Sequence, residues 1–279
     1  LKGALAVTDL RSGARVPFQI AKDGNLLFIA RDLPPMGYAV FRVSPDSSAS
    51  RKQAGSDPSK GIIENAFYRV VLDPVTGGIA SIMDRESGAE LVDRSAKHPF
   101  NAWIYETPRG GRAAVDNMTT PAVFTRSSPS SASFSAGLEG PAAWSIVAKA
   151  AAKPCPSIEQ EIILYDGIKR IDIVNTLTKD EVYDPEALYY AFPFAVKDPV
   201  VRMEVADAVM IPEKEQLPKT TRDWMAVQHF VETSGTGGTV VWSPLDAPLA
   251  EFGDINTGKW LTHLDIMNAH IYSYALNNY

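Results

Sequence analysis

The chain has 279 residues, of which 45% are hydrophobic, 9% aromatic and 22% charged, as expected for a globular protein with a sizeable core. A formal net charge of -6 argues against nucleic acid as a partner, and no apolar run approaches the length of a membrane span. The single cysteine, Cys155, excludes an internal disulfide and a zinc cage built from cysteines. The sequence indicates no cellular compartment.

The first 43 residues predict a small β-domain. Four runs of strand-forming residues are separated by polar turns, and they cover residues 5–7, 16–20, 26–29 and 38–43. Residues 44–60 are rich in Ser, Pro, Gly and charge and contain no hydrophobic anchor. Because such a segment cannot bury enough apolar surface to fix itself, we predict a flexible linker and a domain boundary there.

The stretch 63–92 predicts a β-hairpin meander. Residues 67–72 have high strand propensity without a helical period. Asp73 and Pro74 then favour a turn, which Gly77 and Gly78 continue because glycine tolerates positive φ. Further strands are predicted at 79–83 and 89–92, with a turn between them.

The same rhythm of strands and turns continues to the end of the chain. We predict a strand at 100–106, a polar surface loop at 107–117, and a hairpin centred on Asp166-Gly167, since Asp-Gly between alternating runs is a strong hairpin signal. Residues 201–209 fit a strand or a helical turn equally well. Because no long helical pattern is present, we predict an all-β fold whose main domain, 61–279, packs two large antiparallel sheets face to face.

Two places concentrate groups that suit a polyol ligand. The first is Arg222, Asp223 and Trp224, which offer a planar fork of donors, an acceptor and a flat apolar face. A surface ion pair between Arg222 and Asp223 beside a buried Trp224 explains the same residues equally well. The second place is the chain end, where amide and aromatic groups gather at Asn277, Asn278 and Tyr279.

Neither a metal site nor a catalytic pair is predicted. His263 and Asp265 share one face of a possible strand and His270 follows, but no third ligand has a recognisable spacing. A pair of carboxylates can supply a catalytic acid together with a base or nucleophile. Glu159 and Glu161 lie among solvent-type residues, so we expect them on an outward polar face and assign no catalytic residue.

Several segments together resemble the C-terminal β-region of glycoside hydrolase family 38, the α-mannosidase-like enzymes. The resemblance covers almost the whole chain in order. The matching segments are RDLPPMGY at 31–38, IENAFYRV at 63–70, DPVTGGI at 73–79, EALYYAFPF at 186–194, QLPKTTRDW at 216–224, DAPL at 246–249, INTGKW at 255–260 and LNNY at 276–279.

The resemblance implies a large β-sandwich of the galactose mutarotase-like supersandwich type, preceded by part of a small β-domain. It also implies that strands of the small domain precede Leu1 and that the last strand continues past Tyr279. In the family, the nucleophile and the zinc ligands lie in an N-terminal α/β domain, of which this chain contains none. We therefore expect no cofactor in this chain and zinc in the missing catalytic domain.

The implied role is to support carbohydrate binding and to complete the surroundings of that active site. The implied partners are a mannoside-type glycan and the protein's own catalytic domain. Two alternatives stay open, a freestanding carbohydrate-binding module and an epimerase of the galactose mutarotase type, which needs a His and a Glu across one cleft. Fold alone does not separate these three functions.

Overall fold

The computed structural model describes residues 5–46, 56–116, 123–212, 214–217, 220, 224–255 and 268–278. Regular structure within these ranges is dominated by antiparallel strands. The helical segments there are α1, Gly111–Asp116, and a single 3-10 turn, Pro58–Lys60. The short helix lies in the segment predicted as a polar surface loop.

The N-terminal part forms a three-stranded sheet and a separate hairpin. Its strands are β1 (Leu5–Asp9), β2 (Arg15–Val16), β3 (Phe18–Ile20), β4 (Leu26–Phe28) and β5 (Phe41–Pro45). The sheet has the order β2-β1-β5, and β3 pairs with β4. The strand predicted at 16–20 is thus divided at Pro17, which has no N–H to donate to a ladder.

The remaining strands form three four-stranded sheets and one six-stranded sheet. The first four-stranded sheet contains β6 (Ser56–Asp57), β7 (Ile62–Glu64), β8 (Tyr68–Leu72) and β9 (Ile79–Asp84). The second contains β12 (Ala132–Glu139), β13 (Ala143–Ala152), β14 (Cys155–Tyr165) and β15 (Ile168–Thr178). The third contains β17 (Lys197–Val205), β18 (Ala208–Met210), β20 (Val231–Thr236) and β21 (Gly238–Trp242).

The six-stranded sheet contributes buried residues to both hydrophobic clusters of the described chain. Its strands are β10 (Trp103–Pro108), β11 (Phe124–Ser127), β16 (Ala187–Pro193), β19 (Met225–Ala226), β22 (Leu249–Phe252) and β23 (His270–Asn277). The spatial order is β11-β10-β16-β23-β22-β19, so strands that are far apart in sequence become neighbours.

Turn chemistry explains the hairpins that the sequence predicted. β8 pairs with β9 across the turn at 73–78, where the Asp73 carboxylate accepts hydrogen bonds from Val75 N (3.0 Å) and Thr76 Oγ1 (2.7 Å). Gly78 is required there because a Cβ would lie 2.7 Å from the Phe100 carbonyl oxygen. β14 and β15 close at Asp166-Gly167, with Gly167 at φ 64°. The segment 201–209 forms the end of β17, a turn at 206–207 and the start of β18, and contains no helical turn.

Regular structure also reaches into both ends of the predicted linker 44–60. Strand β5 extends to Pro45, and β6 with the 3-10 turn occupies 56–60. Residues 47–55, between them, lie outside the described ranges. The placement of a domain boundary in this segment stays a prediction.

Every residue of β16 is buried, because both faces of the six-stranded sheet are covered. One face joins the large core, in which Trp103, Leu188 and Phe192 pack with apolar residues of the four-stranded sheets such as Ile146 and Ile162. The fold class predicted from the sequence, an all-β sandwich of antiparallel sheets, is confirmed. The opposite face carries a second, smaller cluster that contains Ile104, Tyr189, Ile255, Tyr272 and Tyr274.

Candidate functional site

A row of polar side chains crosses the face of the six-stranded sheet that carries the smaller cluster. We call it the polar row. It takes one residue from each of five consecutive strands: Arg126 from β11, Glu106 from β10, Tyr189 from β16, Tyr274 from β23 and Glu251 from β22. Since successive side chains of a strand point to opposite faces, these positions share the face of Ile104 and Tyr272.

Hydrogen bonds link the members of the polar row. Arg126 Nε donates to Glu106 Oε2 at 2.5 Å, and the Tyr189 hydroxyl donates to Glu106 Oε1 at 3.3 Å. The rings of Tyr189 and Tyr274 lie 4.5 Å apart between centroids. The Tyr274 hydroxyl donates in turn to Glu251 Oε1. The row therefore begins at an ion pair and ends at a second carboxylate.

The polar row is buried within the chain. Glu106 is 0% exposed and Glu251 is 1% exposed, which is costly for carboxylates unless they are paired and hydrogen-bonded. Burial raises the pKa of Tyr274 far above its usual value, and the adjacent Glu251 carboxylate raises that pKa further. The Tyr274 hydroxyl is therefore held protonated as a donor to Glu251. This arrangement fixes the sheet face and does not supply a mobile acid or base.

A second buried carboxylate lies beside the start of β16. Glu186, 2% exposed, accepts a hydrogen bond from the Tyr105 hydroxyl at 2.7 Å, and Lys179 Nζ lies 2.6 Å from its other oxygen. Burial raises the pKa of Tyr105, and the Glu186 carboxylate raises it as well. Burial also raises the pKa of the nearby Cys155 thiol, which disfavours the nucleophilic thiolate.

Of the first predicted ligand group, Trp224 is the member within the described ranges. It is half-buried and packs against the smaller cluster, whose members include Tyr189 and Tyr274 of the polar row. Arg222 and Asp223 lie outside the described residues. The structure thus places the predicted aromatic group on the face of the polar row.

The second predicted group lies at the end of β23. Asn277 is exposed and pairs in register with Ala187 of β16. Asn278 is also exposed, its N–H donates to the Glu186 carbonyl at 2.8 Å, and its own carbonyl accepts from Arg112 Nη2 at 3.5 Å. Tyr279 lies outside the described residues.

Sequence reasoning missed Glu106, Arg126 and Glu251. A signal for two of them was present in the strand patterns. Glu106 stands on the buried side of β10 with Ile104 and Pro108, and Glu251 lies within the buried run 250–252. A charged residue on the buried side of a strand is rare unless it has an ion-pair partner. Glu159 and Glu161, which the sequence drew attention to, lie elsewhere: Glu159 pairs with Lys149 at 2.6 Å and Glu161 accepts from Ser145 Oγ.

The residues considered as possible metal ligands are His263, Asp265 and His270. His270 Nε2 lies 2.8 Å from Asp93 Oδ2, while His263 and Asp265 lie outside the described residues. Within the described ranges, no group of three or more His, Cys, Asp or Glu side chains is arranged to hold a metal ion. The described residues therefore offer no ligand set for the zinc that the resemblance places in the missing catalytic domain.

His98 packs beside the polar-row face. Its ring meets Tyr272 edge-on, with centroids 6.2 Å apart, and its buried Nε2 has no hydrogen-bond partner in the described part of the chain. Burial lowers the pKa of His98 to about 4, and the charges of Lys97 and Arg126 contribute to the shift. The imidazole is therefore neutral at physiological pH.

Comparisons with known proteins identify the architecture. The family described as "Glycosyl hydrolases family 38 C-terminal domain" matches residues 63–258. A comparison with curated protein sequences gave no match. No helix in the described part of the chain combines the length and apolarity that crossing a membrane requires.

Three solved structures are similar to the chain. An alpha-mannosidase from Enterococcus faecalis V583 has a TM-score of 0.66 at 12% identity, over 99% of this chain and 34% of that one. A glycosyl hydrolase family 38 protein from Enterococcus faecalis has a TM-score of 0.65 at 11% identity, over 99% and 35%. A galactose mutarotase-like protein from Lactobacillus casei ATCC 334 has a TM-score of 0.40 at 10% identity, over 76% and 86%. The chain spans about a third of the length of the first two.

Proposed function

We propose a non-catalytic role for this chain, which belongs to the family 38 glycosyl hydrolases as their C-terminal domain. The role is that of the non-catalytic β-region of an α-mannosidase-like glycoside hydrolase. In this role the chain supports carbohydrate binding and completes the surroundings of an active site that a zinc-dependent catalytic domain supplies. The glycan is a mannoside, and the catalytic domain belongs to the same polypeptide.

One observation carries this proposal: the buried carboxylates on the central sheet are committed to internal partners. Arg126 and Tyr189 donate hydrogen bonds to Glu106, and Tyr274 donates one to Glu251. Glu186, beside the start of β16, is held in a separate ion pair. A glycosidase needs one carboxyl group that gives up a proton and a second that attacks or activates water. Carboxylates locked in pairs suit a scaffold rather than that chemistry.

The sugar-facing role is assigned to the Arg222-Asp223-Trp224 segment and to the end of β23. Support comes from the packing of Trp224 on the polar-row face and from the exposure of Asn277 and Asn278 at a strand end. Aromatic faces and exposed amides are the groups with which proteins hold sugar rings and hydroxyls. The buried polar row beneath Trp224 gives that aromatic group a rigid support.

The experiment is mutagenesis in the full-length protein that joins this chain to its catalytic domain. We expect Arg222→Ala and Trp224→Ala each to lower kcat/KM for an aryl α-mannoside by about tenfold, the loss of one good contact. The melting temperature of the β-region should stay nearly unchanged in Arg222→Ala, whereas Trp224→Ala also removes packing against the smaller cluster and should lower it.

Arg202→Ala is the matched control, because Arg202 lies on another sheet and pairs with Glu232 at 3.0 Å near the surface. This variant should retain full turnover. A loss of activity at Arg222 that merely follows a loss of stability would instead identify a structural ion-pair partner and remove the proposed role.

A further inference from the structure

A cavity of about 180 Å³ lies at the seam between the N-terminal strands and the sandwich. We call it the seam cavity. It is separate from the polar row, and its walls come from the β1–β2 hairpin, the segment after β4, strand β5 and two turns of the β12–β15 sheet. Its lining residues include Asp9, Arg15, Arg31, Asp32, Phe41 and Asp166.

Specific contacts hold the two walls of the seam cavity together. Arg31 Nη2 donates to the Asp166 carbonyl at 3.0 Å and lies 3.4 Å from its carboxylate. The buried Gln19 side chain accepts hydrogen bonds from Ala142 N at 3.0 Å and Ala143 N at 2.9 Å. Because both walls are fixed, the cavity is built into the fold before any ligand arrives.

Asp32 is the least committed polar group in the wall. It adopts φ 52°, a left-handed conformation that is uncommon for a non-glycine residue although aspartate tolerates it. Arg11 holds this backbone, since its Nη1 donates to the Asp32 carbonyl at 2.6 Å and its Nη2 to the Arg31 carbonyl at 3.1 Å. The exposed Asp32 carboxylate has no hydrogen bond to the part of the chain that the structure describes.

The other charged side chains of the wall have ion-pair partners, some of which lie outside the cavity lining. The Arg11 guanidinium pairs with the Asp9 carboxylate, with Nη2 at 2.8 Å from Oδ2. Its hydrogen bonds hold the pKa of Asp9 below the usual value. Arg15 lies 2.6 Å from Asp46. Three carboxylates and two guanidinium groups line the cavity, so their charges nearly balance and favour neither a strongly anionic nor a strongly cationic ligand.

Donors, acceptors and an apolar surface therefore meet in one small space. Guanidinium groups offer planar forks of N–H donors, and the Asp32 carboxylate offers two acceptor oxygens. Phe41, which packs against Phe28 with ring centroids 5.0 Å apart, adds an apolar flank. The volume is below the roughly 300–1,000 Å³ of drug-sized sites.

We propose that the seam cavity binds a single neutral sugar ring, with the Asp32 carboxylate accepting hydrogen bonds from two adjacent hydroxyl groups. Arg15 and Arg31 donate to other ring oxygens, and Phe41 covers an apolar patch of the ring. The site is distinct from the face of Trp224, so its failure would leave the role proposed above intact.

The test is a titration of the isotope-labelled 279-residue chain with methyl α-D-mannoside and methyl α-D-glucoside, followed by backbone amide shifts. We expect saturable shifts at residues 9–16, 31–32 and 142 with a Kd of about 1 mM for at least one sugar. Asp32→Asn should weaken this binding by about tenfold, because it removes the charge and one acceptor.

Asp207→Asn is the matched control, because Asp207 is also an exposed aspartate with positive φ, 61°, but lies in the β17–β18 turn. Asparagine tolerates the left-handed conformation at both positions, so both variants should keep the melting temperature of the parent chain. The proposal is overturned if neither sugar gives saturable shifts up to about 100 mM. It is equally overturned if Asp32→Asn binds as well as Asp207→Asn, or if the shifts appear only at Trp224 and Asn277–Asn278.

Discussion

Tyr274 shows why the polar row has a structural role. Its hydroxyl donates to Glu251, a carboxylate that is almost completely removed from water. Burial and that neighbouring charge raise the pKa of Tyr274, so the donor proton stays in place over the physiological range. A hydroxyl group that keeps its proton over the physiological pH range suits a structural hydrogen bond better than a proton-transfer site.

His98 gives a prediction about acid stability. Its pKa is about 4 in the folded chain against 6.5 for a free imidazole, chiefly because of burial. Between these values the unfolded state binds a proton that the folded state does not, so the contribution of His98 is complete above pH 6.5 and is lost as pH falls towards 4. Denaturant titrations across this window should show a falling free energy of unfolding, and His98→Gln should flatten that slope.

Carboxylates affect stability at lower pH than His98 does. Burial alone would raise the pKa of Asp93, but hydrogen bonds from Ser95 and His270 hold this pKa below its usual value. Its contribution is present above the pKa of an unfolded aspartate and is lost below about pH 4. An unchanged slope in His98→Gln would contradict the account of His98.

The pairing of β10 with β11 predicts how much the ion pair between these strands contributes to the free energy of unfolding. Glu106 and Arg126 are directly opposite in register, and the carboxylate is 0% exposed while the guanidinium is 21% exposed. Removing one partner of a buried pair leaves an uncompensated charge. Arg126→Ala should therefore lower the free energy of unfolding by about 3–5 kcal/mol in chemical denaturation.

Two further variants make this measurement decisive. Arg202→Ala removes one partner of an exposed pair, Arg202–Glu232, and should cost no more than about 1 kcal/mol. Adding Glu106→Gln to Arg126→Ala removes the orphaned charge and should restore part of the loss. If Arg126→Ala instead costs as little as Arg202→Ala, the polar row does not stabilise the sheet.

Local chemistry allowed several elements to be predicted, and local chemistry also explains the misplaced boundaries. The Asp166-Gly167 hairpin and the β8–β9 turn depend on residues adjacent in sequence. The strand predicted at 100–106 begins only at Trp103, because Asn101 adopts φ 55° and Ala102 N donates back to the Pro99 carbonyl. A left-handed asparagine within an otherwise strand-like run gives little warning in the sequence.

The polar row could not be predicted because it depends on long-range topology. β16 lies between β10 and β23, which are separated by more than half of the chain. Only that order brings Glu106, Tyr189, Tyr274 and Glu251 into one line. The resemblance to family 38 identified the fold, but the alternation of single strands did not reveal which strands are neighbours.

At the scale of the whole molecule, the N-terminal strands depend on the sandwich. Between residues 5 and 46, the buried apolar side chains are Ala6 and Val7, while Leu33, Met36 and Tyr38 are exposed. Hydrogen bonds from the sandwich to Gln19, and from Arg31 to the β14–β15 turn, provide much of the attachment. The seam cavity thus exists only while the two parts are docked.

The most direct test of a non-catalytic role is the turnover of aryl α-mannosides by the purified 279-residue chain, with zinc supplied and folding verified. We predict no hydrolysis above the buffer rate, because the carboxylates at the centre of the described fold are engaged in pairs and the catalytic domain is proposed to lie elsewhere in the polypeptide. Hydrolysis that disappears in Glu106→Gln or Glu251→Gln, while the variant remains folded, would place the catalytic centre in this chain and rule out the non-catalytic role.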